Sequence, residues 1–374
     1  MTGLLSVEDA LSRVLSRATA LAAGLATEVV SLQHASGRVL AEAAVAAVDL
    51  PPFPSSAMDG FAIRAADSPG SLPVVGEVAA GRPSGAALGP GQAVSIATGG
   101  AVLEGADAVV PFENVVHRDD TIEISSAVAV GANVRARGGD VRAGEDAVPA
   151  GTRLTPARVA ALAACGVAEV RCAARPRVVV LSTGTELRQP GAPLRAGEIY
   201  ESNSIMLEAA LRAAGAEVYR LGPVPDDEPA HRAAIERGLE ADVLITTGGV
   251  SVGPHDLVRR VEAALGVEEI FWGVAMRPGK PVAFGIRDGT LVFGLPGNPV
   301  SSLVGYHLFV RPAVAAMQGD ADPGPHFSSG VLTAAARRTP ARDDFLRAVA
   351  ATREHGVELT PTRGQESHMI VRSA

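Results

Sequence analysis

The sequence predicts a multidomain protein of α/β plus β class, centred on a parallel sheet with helices on both faces. Three observations predict it. Buried strand runs alternate with helical stretches from Val178 to about residue 316, the pattern of a sheet built from strand–helix units. Short β-type runs separated by Gly, Pro and Asp fill 72–131, which reads as a separate β-rich part. Short β runs return after residue 320. A length of 374 residues accommodates two to four such parts.

In chain order, residues 6–23 form an amphipathic helix. Ser6 with Asp9 gives its capping box, and Val7, Leu11, Val14, Leu15 and Ala18 recur at helical spacing. This helix and the segment to about Asp49 read as framework. Three prolines stiffen 49–62, where Asp59-Gly60 marks a turn. Strands follow at Leu72–Val78, Ala93–Ala97, Ala108–Pro111 and Thr121–Ile124. The arginine cluster from Arg135 to Arg142 fits a solvated loop or an anion site. A helix at 155–166 and a strand at Val167–Cys172 lead to the Arg175-Pro176 linker. Beyond it come strands at Val178–Leu181, Val218–Leu221, Val243–Ile245 and Ile270–Val274. Helices are expected at Ile205–Ala214 (capped by Asn203 or Ser204), Pro229–Leu239 and Asp256–Leu265. Val282–Ile286 and Thr290–Phe293 make a hairpin about Asp288-Gly289, a last helix covers 299–316, and the tail is a small β module.

Composition excludes several function classes. A net charge of −8 and a pI near 5.6 argue against nucleic acid or an anionic membrane as partner. The start lacks a signal-type pattern and no apolar run reaches 18 residues, so a soluble cytoplasmic protein is expected. Cys165 and Cys172 are too few for a disulfide framework or a cysteine-built zinc site, and read as reduced core thiols.

The sharpest local signal is Met276-Arg277-Pro278-Gly279-Lys280-Pro281. Lys280 is the only lysine in the chain. Where arginine serves as the general surface cation, a retained lysine points to a need for a compact ammonium. Rigid Pro and Gly neighbours suit an anion site. Turns ending in Thr183-Gly184 and Gly248-Gly249 follow strands, so they and the lysine run can meet at the carboxyl edge of the sheet, where such folds bind ligands. No dinucleotide or P-loop fingerprint occurs. Glu186, Asp226 and Asp256 fall on the same edge. Carboxylates beside an oxyanion site suit Mg²⁺, although Asp256 serves equally well as a helix cap.

Together the motifs resemble one family, molybdopterin molybdenumtransferase (MoeA, and the E-domain of gephyrin-type proteins), over nearly the whole chain. The resemblance rests on 54–62 (PSSAMDGFA), Ala97-Thr98-Gly99, 105–110 (GADAVV), Arg137-Gly138-Gly139-Asp140, 182–187 (STGTEL), 248–253 (GGVSVG), the 277–281 lysine run and 295–299 (LPGNP). It implies four parts: a framework of 1–50 and 142–174, a β-rich domain of 51–141, a three-layer α/β molybdopterin-binding domain of 175–318 and a C-terminal β-barrel of 319–374. It further implies a homodimer that inserts molybdate into adenylyl-molybdopterin with Mg²⁺ present and AMP released, with molybdopterin adenylyltransferase as functional partner. By position it assigns Asp59, Asp140, Glu186, Asp256 and Lys280 to catalysis. Thr98, Thr183, Gly184, Gly248, Gly249, Ser251, Arg277, Pro281, Asn298, Arg347 and Ser367 are assigned to substrate, and Glu186, Asp226 and Asp256 to metal. Arg347 and Ser367 match barrel positions facing molybdate.

The chain departs from the family pattern at Leu103, Gly139 and Glu366, and stops at Ala374 where the family usually continues, so the barrel is expected to be incomplete. Two other functions stay open at this stage. An adenylyltransferase or other phosphoanhydride-handling enzyme would need only the α/β core, and a gephyrin-like scaffold would need no chemistry.

Overall fold

The carboxyl edge of one mixed sheet organises the protein. The computed structural model describes residues 4–81, 85–249, 257–337 and 339–373. That sheet has six strands, in spatial order Glu217–Val224, Arg177–Thr183, Val243–Thr247, Thr290–Leu295, Ala283–Arg287 and Glu268–Trp272. The first four are parallel. The expected hairpin about Asp288-Gly289 is present, with positive φ at both residues, and it makes Ala283–Arg287 antiparallel to both neighbours. The sheet is therefore mixed, not wholly parallel as the strand–helix alternation implied. Glu268–Trp272 nevertheless runs in the same sense as the four parallel strands. Five strands thus end on one edge.

Side-chain alternation divides this domain into layers. Val178, Val180, Val243, Ile245, Leu291 and Phe293 face one way and meet Leu207, Leu211 and Phe309. Val179, Leu181, Leu244 and Val292 face the other way and meet Ile235, Val258 and Val261. The long helix from Pro299 to Met317 contains a π turn at Tyr306–Val310, just before Pro312, which cannot donate a helical hydrogen bond. By length and composition this helix could cross a membrane, but 78% of its apolar window is buried inside the protein, as befits a core helix.

The first helix, Val7–Ala22, has the expected cap. Ser6 Oγ accepts from Asp9 N at 3.0 Å and donates to its carboxylate at 2.7 Å. Its buried face, Ala10, Val14 and Ala18, packs into the α/β core beside Ala313 and Val314. Although read as framework from the sequence, this helix is part of the α/β body.

The framework segments far apart in sequence close on each other. Thr27–Ser31 pairs with Glu169–Ala173 and Ala44–Val45 with Asp146–Val148. Leu40, Leu154, Leu162 and Cys172 fill the core between them, and both cysteines are buried free thiols. The β-rich part is a six-stranded sheet, ordered Ala108–Pro111, Gly60–Ile63, Ala93–Ile96, Gly70–Val78, Thr121–Ile124 and Val116–Arg118. Phe61 and Ile63 fill one face, Ala62, Val94 and Ile96 the other.

After the long helix, Val331–Leu332, Gly356–Pro361 and Ala348–Arg353 form a three-stranded sheet. It is open, not a closed barrel, among the described residues. Asp343–Asp344 ties the tail to the lysine run by pairing with Met276–Arg277.

Candidate active site

Two strand-end turns build the floor of the site. Strand Arg177–Thr183 ends in buried Ser182 and Thr183, and strand Val243–Thr247 in buried Thr246 and Thr247. Gly248 follows with φ +93°, and a Cβ there would lie 2.7 Å from Thr183 O. Only glycine permits this backbone approach. Both turns line a cavity of about 850 Å³, together with Glu186, Asp226, Lys280, Pro281 and Asn298. An adjoining cavity of about 440 Å³ shares Lys280, Pro281 and Asn298 and adds Arg277 and Ser367.

Lys280 lies on both cavities. It is exposed and has no hydrogen bond or ion pair from its side chain among the described residues. Its carbonyl accepts from Val274 N at 2.9 Å, and prolines stand at 278 and 281, so the backbone is held while the ammonium is left for a ligand. Across the smaller cavity, Asn298 Nδ2 donates to Ser367 Oγ at 2.8 Å, and Ser367 O accepts from Val300 N at 3.0 Å. These bonds seat the tail against the N-terminus of the long helix.

The two adjacent aspartates divide their work. Asp227 caps helix Glu228–Gly238, accepting from Ala230 N at 3.1 Å. Asp226 is thereby left facing the larger cavity, oriented by Thr185 N and Oγ1, both 3.3 Å from its Oδ2. Glu186 folds over Gly184, its Oε2 2.6 Å from the place a Cβ would occupy. Asp256 and Ser251 lie outside the described residues. Among the described residues no group of three or more His, Cys, Asp or Glu side chains has metal-holding geometry.

Asp59, Thr98 and Asp140 line neither cavity. They sit on or beside the β-rich part, exposed. Asp59 Oδ1 accepts from Thr98 N at 2.6 Å and from Thr98 Oγ1 at 2.9 Å. These two bonds, the backbone one first, hold its carboxyl below the usual range. A lowered carboxyl pKa stabilises the fold above pH ~4 and loses that contribution as pH falls through the lowered value. Thr98→Val removes only the hydroxyl bond. A carboxyl NMR titration of that variant is expected to find Asp59 moved part-way back towards its ordinary value, and an unmoved titration would leave the hydroxyl without a role. In the nearby arginine cluster, Arg137 is taken by Asp49.

Arg347 is a correction. Its guanidinium donates to the carbonyls of Gly364 at 2.6 Å, Met369 at 3.0 Å and Glu366 at 3.3 Å. It shapes the tail that carries Ser367 and does not line either cavity.

Residues 5–166 match the family profile described as MoeA N-terminal region (domain I and II), and residues 179–316 match one described as probable molybdopterin binding domain. The chain belongs to the MoeA family. A Haemophilus influenzae relative named molybdopterin molybdenumtransferase is 38% identical, over 98% of this chain and 91% of its own length. A Mycobacterium tuberculosis relative named molybdopterin molybdenumtransferase 2 is 41% identical, over 86% of this chain and 82% of its own. The crystal structure of a molybdopterin biosynthesis MoeA protein from Pyrococcus horikoshii OT3 superposes with a TM-score of 0.79 at 30% identity, covering 99% of this chain and 93% of that one.

Sequence reasoning missed part of this MoeA site. Asn203, expected as a possible helix cap, lies inside helix Asn203–Ala213. It is buried and donates to Thr247 Oγ1 at 2.8 Å and Gly297 O at 2.7 Å, tying two turns of the cavity together. Glu201 takes over the capping, accepting from Ser204 N at 2.8 Å and Ser204 Oγ at 2.6 Å. Tyr200, Trp272 and His368 add flat walls. An isolated aromatic in a strand or loop carries no sequence signal for such a role.

Proposed function

We propose that this chain is a molybdopterin molybdenumtransferase of molybdenum cofactor biosynthesis, inserting molybdate into adenylyl-molybdopterin, with Mg²⁺ required and AMP released. One observation carries the reading: the sole lysine, without a partner among the described residues, stands where a large cavity meets a small one. The larger cavity has the volume and flat walls for a pterin nucleotide. The smaller suits an oxyanion, with Arg277 and Ser367 facing it beside Lys280. An ammonium fixed at their junction stabilises negative charge that develops as the phosphoanhydride is cleaved and the metal passes to the dithiolene. Glu186 and Asp226 fit Mg²⁺, which takes one or two carboxylates and shares substrate phosphates. When bound, the ion would neutralise phosphate charge. Thr185 orients Asp226, and the 183–184 and 248–249 turns present backbone to the substrate.

The working unit in this reading is a cytoplasmic homodimer, supplied with adenylyl-molybdopterin by a molybdopterin adenylyltransferase. Exposed Val29, Val45, Val48 and Phe53 on and beside the framework support a partner surface. The core-only alternative leaves the 5–166 match without a purpose.

Incubation with adenylyl-molybdopterin, Mg²⁺ and molybdate should release AMP, and omission of molybdate or chelation of Mg²⁺ should suppress it. A protein that binds the substrate yet forms no AMP under these conditions would overturn the reading. Ser367→Ala removes an acceptor for Asn298 beside the proposed oxyanion position. It is expected to raise half-saturation for molybdate about fivefold, with little change for adenylyl-molybdopterin. Equal changes for both substrates would place Ser367 outside the oxyanion site.

A further inference from the structure

Another cavity, of about 670 Å³ and lined by several charged side chains, lies away from the site described above. It is walled by the framework stretch 151–158, by residues 210–214 and 306–315 of the α/β domain, and by the connector 320–326 into the C-terminal sheet. None of the residues assigned to the reaction lines it.

Its charges do not cancel. Arg153 pairs with Asp320 at 3.1 Å, and His326 faces Asp322 at 3.8 Å. Arg158 and Arg311 have no carboxylate partner among the described residues. Among the described residues, the Arg158 side chain donates only to the carbonyl of Arg153, at 2.7 Å, and Arg311 Nε is shielded from solvent with no hydrogen-bond partner. A shielded guanidinium N–H without an acceptor is costly, and the site is roomy enough for a ligand to supply one. The π turn sets this geometry. Arg311 N donates to Tyr306 O, five residues back, while Tyr306 Oη is fixed on Ala210 O at 2.7 Å. Desolvation and the Arg311 charge push the pKa of His307 down, leaving it a neutral hydrogen-bonding group on the wall. Two guanidinium groups without a carboxylate among the described residues, with hydroxyl and imidazole neighbours, match a tetrahedral dianion better than a single carboxylate.

We propose that this cavity is a second anion site, taking a phosphate group. An anion bound there touches three parts of the chain at once, so it should also brace the framework and the C-terminal connector against the α/β domain.

Calorimetric titration of the full chain with inorganic phosphate tests this, in a Lys280→Ala background that weakens anion binding at the candidate active site. One phosphate per chain is expected to bind. Arg311→Gln added to that background should weaken it at least about tenfold, and the exposed Arg158→Gln about threefold. In an otherwise unaltered chain, Arg311→Gln should keep AMP release within about twofold when no phosphate is added. A parallel titration with ribose 5-phosphate separates sources: tighter binding than inorganic phosphate identifies an organic phosphate, equal binding the free ion. No binding of either ligand overturns the proposal, as does unchanged affinity in a folded Arg311→Gln chain. Should that variant fail to fold by circular dichroism, unchanged affinity in Arg158→Gln overturns it instead.

Discussion

Lys280→Ala is expected to slow AMP release by about a hundredfold or more while leaving the fold intact. Loss of one charge-stabilising donor in a preorganised site costs on the order of 3 kcal/mol in the transition state. The folded state should barely change, because an exposed side chain without partners contributes within about 0.5 kcal/mol of stability. Lys280 meets both conditions among the described residues. Lys280→Arg should also be slow, since a planar fork cannot occupy the place of a point charge between two prolines. Thermal melting and single-turnover AMP release, measured on the same preparations, check both statements. Near-normal release by the arginine variant would remove the lone-lysine argument.

The second large effect is complementation between two dead enzymes. Asp59 matches the family motif yet lies on the β-rich part, outside both cavities that hold Lys280. Its carboxylate is fixed by Thr98 and faces solvent, which leaves it free to meet a neighbouring molecule. The expected arrangement is a two-fold dimer in which Asp59 of one subunit completes the Lys280 site of the other. Asp59→Ala and Lys280→Ala homodimers should each be inactive. Mixed dimers would carry one site with both lesions and one with neither. Random pairing makes about half the dimers mixed, so co-expression should restore about a quarter of wild-type activity. Tagged, purified mixed dimers that stay as inactive as their parents would show that each site is built within one chain.

Local signals were legible where local physics decides the outcome. Strands Ala108–Pro111 and Thr121–Ile124 stand at their expected bounds because turn residues close both ends. The Ser6 cap and the Asp288-Gly289 turn are equally local. That the Thr183-Gly184 and Gly248-Gly249 turns and Lys280 line one cavity follows from the same local logic, because turns that follow parallel strands share an edge. What could not be read depends on contacts distant in sequence. The first helix goes to the α/β core, not the framework, because Ala10, Val14 and Ala18 fit the long C-terminal helix some 300 residues away. Asn203 looks like a cap but is drawn inward by Thr247 and Gly297. Resemblance places Arg347 facing molybdate, whereas the carbonyls of Gly364, Glu366 and Met369 claim it once the tail has folded back.

The solitary lysine has a practical side. Its side chain is the only lysine amine in the sequence, and it is exposed where two cavities adjoin. An amine-directed reagent then has a single side-chain target, besides an α-amine. Blocking the amino terminus leaves one. Protection of Lys280 from labelling would then count ligand-filled sites one by one, without a cysteine introduced or a surface lysine removed.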